Sequence, residues 1–302
     1  MAFNRGNPMF KGSLVALITP FKNGEFDEQA YRKLVDWQIN QGTHGLVPMG
    51  TTGESPTLSH AEHKRVVELC IEVTAGRVPV IAGAGSNSTA EAIEFTAHAK
   101  AAGADAALLV TPYYNKPTQE GLFQHFKAIN DAVEIPLIIY NIPPRSVIDM
   151  SVETMARCAA LSNVIGVKDA TQDLVRPMKT REAISADFAQ LSGEDGTIMP
   201  YLAQGGHGCI SVTANVAPGP LSQMHNAWQA GDLDTAMAIN ERLMPLHDAL
   251  FCESSPGPVK HAASLLGLCD PDTRLPLVEI AEASKQKVEA AMRHAGLLNQ
   301  RC

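Results

Sequence analysis

Lys168 closes the apolar run Val164-Ile165-Gly166-Val167 and is the most chemically informative side chain in the sequence. If Lys168 points into the mouth of a barrel, its amine is partly desolvated, which disfavours the charged form. More of it is then the neutral nucleophile that attacks carbonyl carbon. Strand periodicity puts Val164, Gly166 and Lys168 on one face and Ile165 and Val167 on the other. Gly166 beneath Lys168 would leave room for a small substrate. Tyr140 ends the preceding apolar run, Leu137-Ile138-Ile139. Neighbouring strands lie about 4.8 Å apart, so its phenol could reach a group carried by Lys168 and shuttle protons. Arg145 follows in a proline-rich loop and offers a fork for a carboxylate. Gly50-Thr51-Thr52-Gly53 offers backbone N–H groups and two hydroxyls to an anion. Each group also has a plainer reading. Lys168 can lean to solvent or pair with Asp169, Tyr140 can be a core tyrosine, Arg145 a surface arginine, and the glycine-flanked segment only a turn.

Such groups need elements to aim them. Eight β-rich runs punctuate the chain: Leu14–Thr19, Gly45–Met49, Val78–Ala82, Ala106–Val110, Leu137–Tyr140, Val164–Lys168, Phe188–Leu191 and Cys209–Val212. Between them, Asp27–Gln41, Ser59–Ala75, Thr89–Ala102, Thr118–Val133 and Ser151–Ala160 carry apolar residues at helical spacing. Ser59 and Ser151 stand as caps before acidic first turns. Strands alternating with helices imply parallel pairing through right-handed crossovers. A count of eight, and the absence of a G-x-G-x-x-G after the first run, favour a closed barrel over an open dinucleotide-binding sheet. The expectation is an α/β fold, a (β/α)8 TIM barrel over residues 1–225. A C-terminal helical appendage over 226–302 carries the patterns Ala227–Leu250, Pro258–Leu266 and Leu277–His294. Barrel chemistry sits at the C-terminal ends of the strands. Lys168, Tyr140, Thr51, Thr52 and Arg145 all fall there.

The 302 residues carry a net charge of −8, which argues against a nucleic-acid-binding face and requires an anionic substrate to find local cations. The start of the chain lacks an apolar run of signal-peptide type, and no segment approaches a membrane span, so a cytoplasmic protein is expected. Cys70, Cys158, Cys209, Cys252, Cys269 and Cys302 are scattered, without the close pairs of a structural metal site, and read as reduced thiols. No His/Cys/Asp cluster suggests a metal, and no Ser/His pair suggests an activated hydroxyl.

The strings Gly50-Thr51-Thr52-Gly53-Glu54-Ser55, Val110-Thr111-Pro112-Tyr113-Tyr114-Asn115-Lys116-Pro117, Tyr140-Asn141-Ile142-Pro143 with Arg145, Gly166-Val167-Lys168-Asp169, and Gly205-Gly206-His207-Gly208 through Asn215 together resemble the dihydrodipicolinate synthase family of class I aldolases. The likeness runs from about Gly12 to the C-terminus. It implies that Lys168 forms an imine with pyruvate, with no metal or organic cofactor. It implies a proton relay of Tyr140, Thr51 and Tyr114, the last reaching into a neighbouring subunit. Thr51 and Thr52 would hold the pyruvate carboxylate, Gly193 and Ile210 would line that pocket, and Arg145 would receive the carboxylate of L-aspartate 4-semialdehyde. The implied product is 4-hydroxy-tetrahydrodipicolinate, on the way to diaminopimelate and lysine, and the implied assembly is a homotetramer built as a dimer of dimers.

The same resemblance implies a possible L-lysine inhibitor site at Ser55, Pro56, His60, His63, Asn87, Glu91 and Tyr113. Spacing lets His60 share a helix face with His63, and Asn87 with Glu91. Two departures from the family pattern stand out: Ser146-Val147 where Thr-Gly is common after the arginine, and glycine in Pro256-Gly257-Pro258 where a branched residue is usual. Two other readings stand beside the synthase, an N-acetylneuraminate lyase or pyruvate-derived sugar-acid aldolase, and a catalytically silent keto-acid-binding barrel.

Overall fold

The computed structural model describes residues 8–299; Cys302 lies outside them. Eight strands make up the main sheet: β1 (Gly12–Ala16), β2 (Gly45–Val47), β3 (Ile81–Gly83), β4 (Ala106–Val110), β5 (Leu137–Asn141), β6 (Val164–Asp169), β7 (Ala189–Ser192) and β8 (Gly208–Ser211). They form one sheet in the order β2-β1-β8-β7-β6-β5-β4-β3. The architecture is the (β/α)8 barrel with C-terminal helices. Parallel strands covered on both faces read as unbroken apolar runs, and β4 and β5, Ala-Ala-Leu-Leu-Val and Leu-Ile-Ile-Tyr-Asn, have that character.

The helices are α1 (Glu28–Asn40), α2 (His60–Thr74), α3 (Thr89–Ala102), α4 (Gln119–Ala132), the single turn α5 (Pro143–Ser146), α6 (Val152–Ala159), α7 (Arg176–Ala183), α8 (Ile198–Ala203), α9 (Pro218–Ala230), α10 (Leu233–Ala249), α11 (Gly257–Leu265) and α12 (Glu282–His294). Ser59 caps α2 in a reciprocal box with Glu62, and Ser151 caps α6; each satisfies a backbone donor that a helix start leaves open. The expected helix Ala227–Leu250 is broken. Gly231 takes φ +81 and ends α9, and the Asp232 carboxylate accepts from Thr235 N to open α10. Glycine adopts the left-handed turn without a Cβ clash, so it stops a helix that the apolar pattern would continue.

Two compact units make up the chain. One spans Val80–Ile210. Its core packs Ala107 and Leu109 of β4, Leu137 and Ile139 of β5, and Val167 of β6 against Leu122, Phe126 and Ile129 of α4 and Met155 and Cys158 of α6. Alternation sends the intervening residues, among them Tyr140 and Lys168, to the other face. The second unit comprises Gly12–Pro79 and the residues from Ser211 onward. There the Asn215 amide replaces missing ladder bonds: its Oδ1 accepts from Ile18 N, and its Nδ2 donates to Ala16 O. A short antiparallel ribbon, Phe21–Lys22 with Glu25–Phe26, sits in the same unit.

Candidate active site

Tyr140 and Lys168 are direct partners in the ladder between β5 and β6. In a parallel pair, side chains of facing residues leave on the same side. The Lys168 Nζ accordingly lies 4.2 Å from the centroid of the Tyr140 ring, within the range of a cation–π contact. Lys168 is only 5% exposed, so it does not lean to solvent. Asp169, the ion-pair partner that the plainer reading offered, directs its carboxylate elsewhere. Its Oδ1 accepts from the backbone N–H of Thr171 at 2.9 Å and from the Thr171 hydroxyl at 2.7 Å. Burial pushes the Asp169 carboxyl up, against the pull of those hydrogen bonds.

The strand is less regular than simple alternation predicts. Leu137 pairs with Val164, but Ile138 pairs with Gly166, so Ile165 is an extra residue in β6. Val164 therefore joins Val167 in the core beneath the helices, while Gly166 and Lys168 keep a common face. The space beside Gly166 is also filled. A Cβ there would stand 2.7 Å from the carbonyl oxygen and 2.8 Å from the Cβ of Ala189 on β7. Gly166 allows close approach of the neighbouring strand and does not leave room for a substrate. Gly193 is crowded as well, but against the lysine itself: a Cβ there would meet Ala170 Cβ at 2.8 Å and Lys168 Cε at 3.2 Å. Gly193 N–H donates to Asp169 O at 2.7 Å and extends the ladder past the strand ends.

Glu194 follows Gly193, and sequence reading gave it no role. Burial and the neighbouring Asp195 push its carboxyl up, and the Lys168 charge pulls it down. It lines a small cleft with Asp169, Thr171, Gln172, Thr197 and Tyr201. The signal in the sequence was its position just past a strand end.

In the other unit, Thr51, Thr52 and Gly53 form one turn of 3-10 helix, with Thr52 buried and Thr51 half-buried. Both flanks, Met49 at φ +58 and Glu54 at φ +57, are left-handed. Non-glycine residues take that conformation at a cost, and such outliers gather at functional sites. The Thr19 hydroxyl donates to Gly53 O at 2.7 Å. Glu54 pairs with Lys260 out of contact with water; the sequence concealed this, because the two are 206 residues apart.

Arg145 is exposed on α5. Tyr114 is 89% exposed, with φ +71. Ile210 is buried in β8. Val147 sits at φ +66, a left-handed position that favours glycine, and Gly257 lies where a Cβ would meet Ile280 at 2.8 Å. Of the positions read as a lysine site, Asn87 donates to Tyr113 O at 3.2 Å, and Glu91 accepts from the Ser86 hydroxyl. Asn87 does not share a helix face with Glu91. It precedes α3, whose cap is Ser88. Ser55 and Pro56 form the turn before α2, His60 is exposed at its start, and His63 is buried.

Cys70 and Cys158 are buried, and burial pushes their thiols up to about 12, so they are poor nucleophiles. Among the described residues, no group of three or more His, Cys, Asp or Glu has a metal-holding arrangement, and no helix is long and apolar enough to cross a membrane.

A family model described as the dihydrodipicolinate synthetase family matches residues 9–295. The 4-hydroxy-tetrahydrodipicolinate synthase of Bradyrhizobium diazoefficiens is 65% identical over 290 residues, covering 96% of this chain and 98% of its own. A dihydrodipicolinate synthase from Acinetobacter baumannii, solved in complex with pyruvate, is 48% identical with a TM-score of 0.93, covering 95% of this chain and 99% of its own. A relative from Cyanidioschyzon merolae, solved with lysine bound, is 39% identical with a TM-score of 0.93, covering 97% of this chain and 100% of its own.

Proposed function

The chain belongs to the dihydrodipicolinate synthetase family, and from that premise we propose that Lys168 is the amine that captures pyruvate. The chain is a class I aldolase that condenses pyruvate with L-aspartate 4-semialdehyde to 4-hydroxy-tetrahydrodipicolinate. The observation that carries this reading is the buried Lys168 amine stacked on the Tyr140 ring at the C-terminal end of β6.

The Lys168 nitrogen adds to the ketone carbon of pyruvate to give a carbinolamine. The Tyr140 phenol returns a proton to the departing oxygen, water leaves, and a protonated imine remains. Loss of a methyl proton gives the enamine, with the iminium nitrogen as electron sink. The enamine carbon attacks the aldehyde, forming one C–C bond. The amino group of the former semialdehyde then displaces Lys168 and closes the ring, releasing the free lysine. The covalent imine does the work that other aldolases assign to a metal.

Thr51 and Thr52 hold the pyruvate carboxylate, and Gly193 and Ile210 border it. Thr51 and Tyr114 extend the proton relay from Tyr140. The exposure and left-handed backbone of Tyr114 suit a side chain completed by a neighbouring subunit, in a homotetramer in the cytoplasm. Arg145 receives the semialdehyde carboxylate through its fork. The same assembly binds L-lysine as an inhibitor through Ser55, Pro56, His60, His63, Asn87, Glu91 and Tyr113. The experiment compares turnover of pyruvate with L-aspartate 4-semialdehyde against cleavage of N-acetylneuraminate. Faster turnover of the semialdehyde is expected; preferential cleavage of the sugar acid would overturn the acceptor.

A further inference from the structure

Glu54 and Lys260 form an ion pair sealed from water, Nζ to Oε1 at 2.6 Å, with side chains 1% and 0% exposed. Lys260 stands on α11, donates also to Asp272 O at 2.5 Å, and lies 4.0 Å from the centroid of the Phe21 ring. The second Glu54 oxygen accepts the backbone N–H of Arg274 at 3.1 Å. Every polar atom of the carboxylate is thus engaged by the C-terminal segment. Desolvating two opposite charges costs more than a well-packed apolar pair would, so such a pair is poor evidence of a need for stability. Its use lies in what it holds.

What Glu54 holds is its own backbone. Its N–H donates to Thr51 O at 3.1 Å, and its carbonyl accepts from Thr57 N and from the Thr57 hydroxyl, both at 3.0 Å. Glu54 is therefore the residue that closes the 3-10 turn of Thr51, Thr52 and Gly53, in a conformation that favours glycine. A carboxylate clamped at both oxygens keeps that backbone from relaxing. Arg274 extends the clamp: its side chain donates to Thr57 O at 3.1 Å and to Glu62 at 2.6 Å.

We propose that Glu54 and Lys260 are positioning residues for the keto acid, the buried pair locking the Thr51–Thr52 turn in the shape that takes the pyruvate carboxylate. This rests on the reading of Thr51 and Thr52 given above. Neither side chain touches substrate. Loss of the pair loosens the turn that carries both the carboxylate subsite and the Thr51 relay hydroxyl, so kcat falls with it, and leaves the aldehyde's Arg145 subsite alone.

The test uses the purified enzyme and three variants: Glu54→Gln/Lys260→Met, Glu54→Asp, and Thr52→Val. The readouts are the KM for each substrate and the pyruvate concentration that half-saturates borohydride trapping. The double variant leaves no lone buried charge and is expected to fold. The expected result is a pyruvate KM raised about tenfold or more, with the semialdehyde KM within about twofold of wild type. A folded double variant with wild-type pyruvate KM overturns the proposal, as does an equal rise in both KM values. Should the double variant fail to fold, Glu54→Asp decides by the same split, because it keeps both buried charges but is one methylene too short to hold Lys260 and Arg274 N–H together. Thr52→Val separates the two ideas. If it leaves the pyruvate KM unchanged, the reading of the turn fails. If it raises the KM while the pair variants do not, only the positioning role fails.

Discussion

Lys168 and Tyr140 are register partners on adjacent strands, and the amine lies 4.2 Å from the centre of the phenol ring. The contact holds the lysine stem and brings a proton carrier next to the nitrogen that must lose and regain water. Tyr140→Phe keeps the ring and removes only the hydroxyl. The expected result is a kcat lowered by about 10²–10⁴-fold, with the fold intact and pyruvate still trapped on Lys168 at a reduced rate. Initial rates and mass spectrometry read the two effects. A variant with wild-type kcat would remove Tyr140 from the relay.

Gly166 and Gly193 differ in what they serve. Gly166→Ala drives a methyl into the Ala189 carbonyl and is expected to cost about 1–3 kcal/mol of stability, as overpacking does. Gly193→Ala meets Ala170 as closely and presses on the Lys168 stem as well, so it is expected to cost similar stability and, unlike Gly166→Ala, to slow imine trapping in the folded protein. Chemical denaturation and trapping rates on both variants check the contrast. A Gly166→Ala protein as stable as wild type would contradict the packing account.

Val147 occupies a left-handed backbone position while 63% exposed. A β-branched residue there is strained, by about 1–2 kcal/mol for the backbone alone. Val147→Gly relieves the strain but adds freedom to the unfolded chain worth about 0.4–1 kcal/mol. The net expectation is stabilisation by about 0.5–1 kcal/mol, seen as a raised Tm. A lowered Tm would show that the side chain makes a contribution larger than its strain.

Glu62 joins the capping box of α2 to Arg274, whose hydrogen bond holds its carboxyl down to about 2 from an ordinary 4.5. A depressed carboxylate stabilises above its unfolded pKa and loses that contribution as pH falls through the folded one. The stabilisation is thus full above pH 4.5 and disappears toward pH 2. With partial exposure it amounts to about 1 kcal/mol. The stability gap between wild type and Glu62→Gln should shrink between pH 6 and pH 3 in urea titrations. A gap independent of pH would contradict it.

Much of the fold could be read from the chain because parallel strands are continuous apolar runs and helix starts carry cap chemistry. All eight strands and the caps Ser59 and Ser151 fall where those signals stand. Lys168 and Tyr140 were legible for the same reason, as polar residues ending apolar strands. The rest was hidden by effects without local signature. The Gly231-Asp232 break competes with an unbroken apolar pattern. The extra residue at Ile165 shifts the strand's alternation. The Glu54–Lys260 pair joins residues far apart in sequence, although a lysine amid Pro258, Val259, Ala262 and Ala263 was a hint that a charge lay in the core.

The most direct measurement of the central claim is borohydride reduction of the enzyme in the presence of pyruvate, followed by peptide mass mapping. The expected product carries one 1-carboxyethyl group on Lys168, and Lys168→Ala carries none. An unmodified Lys168 peptide, or an adduct on another lysine, would contradict the account.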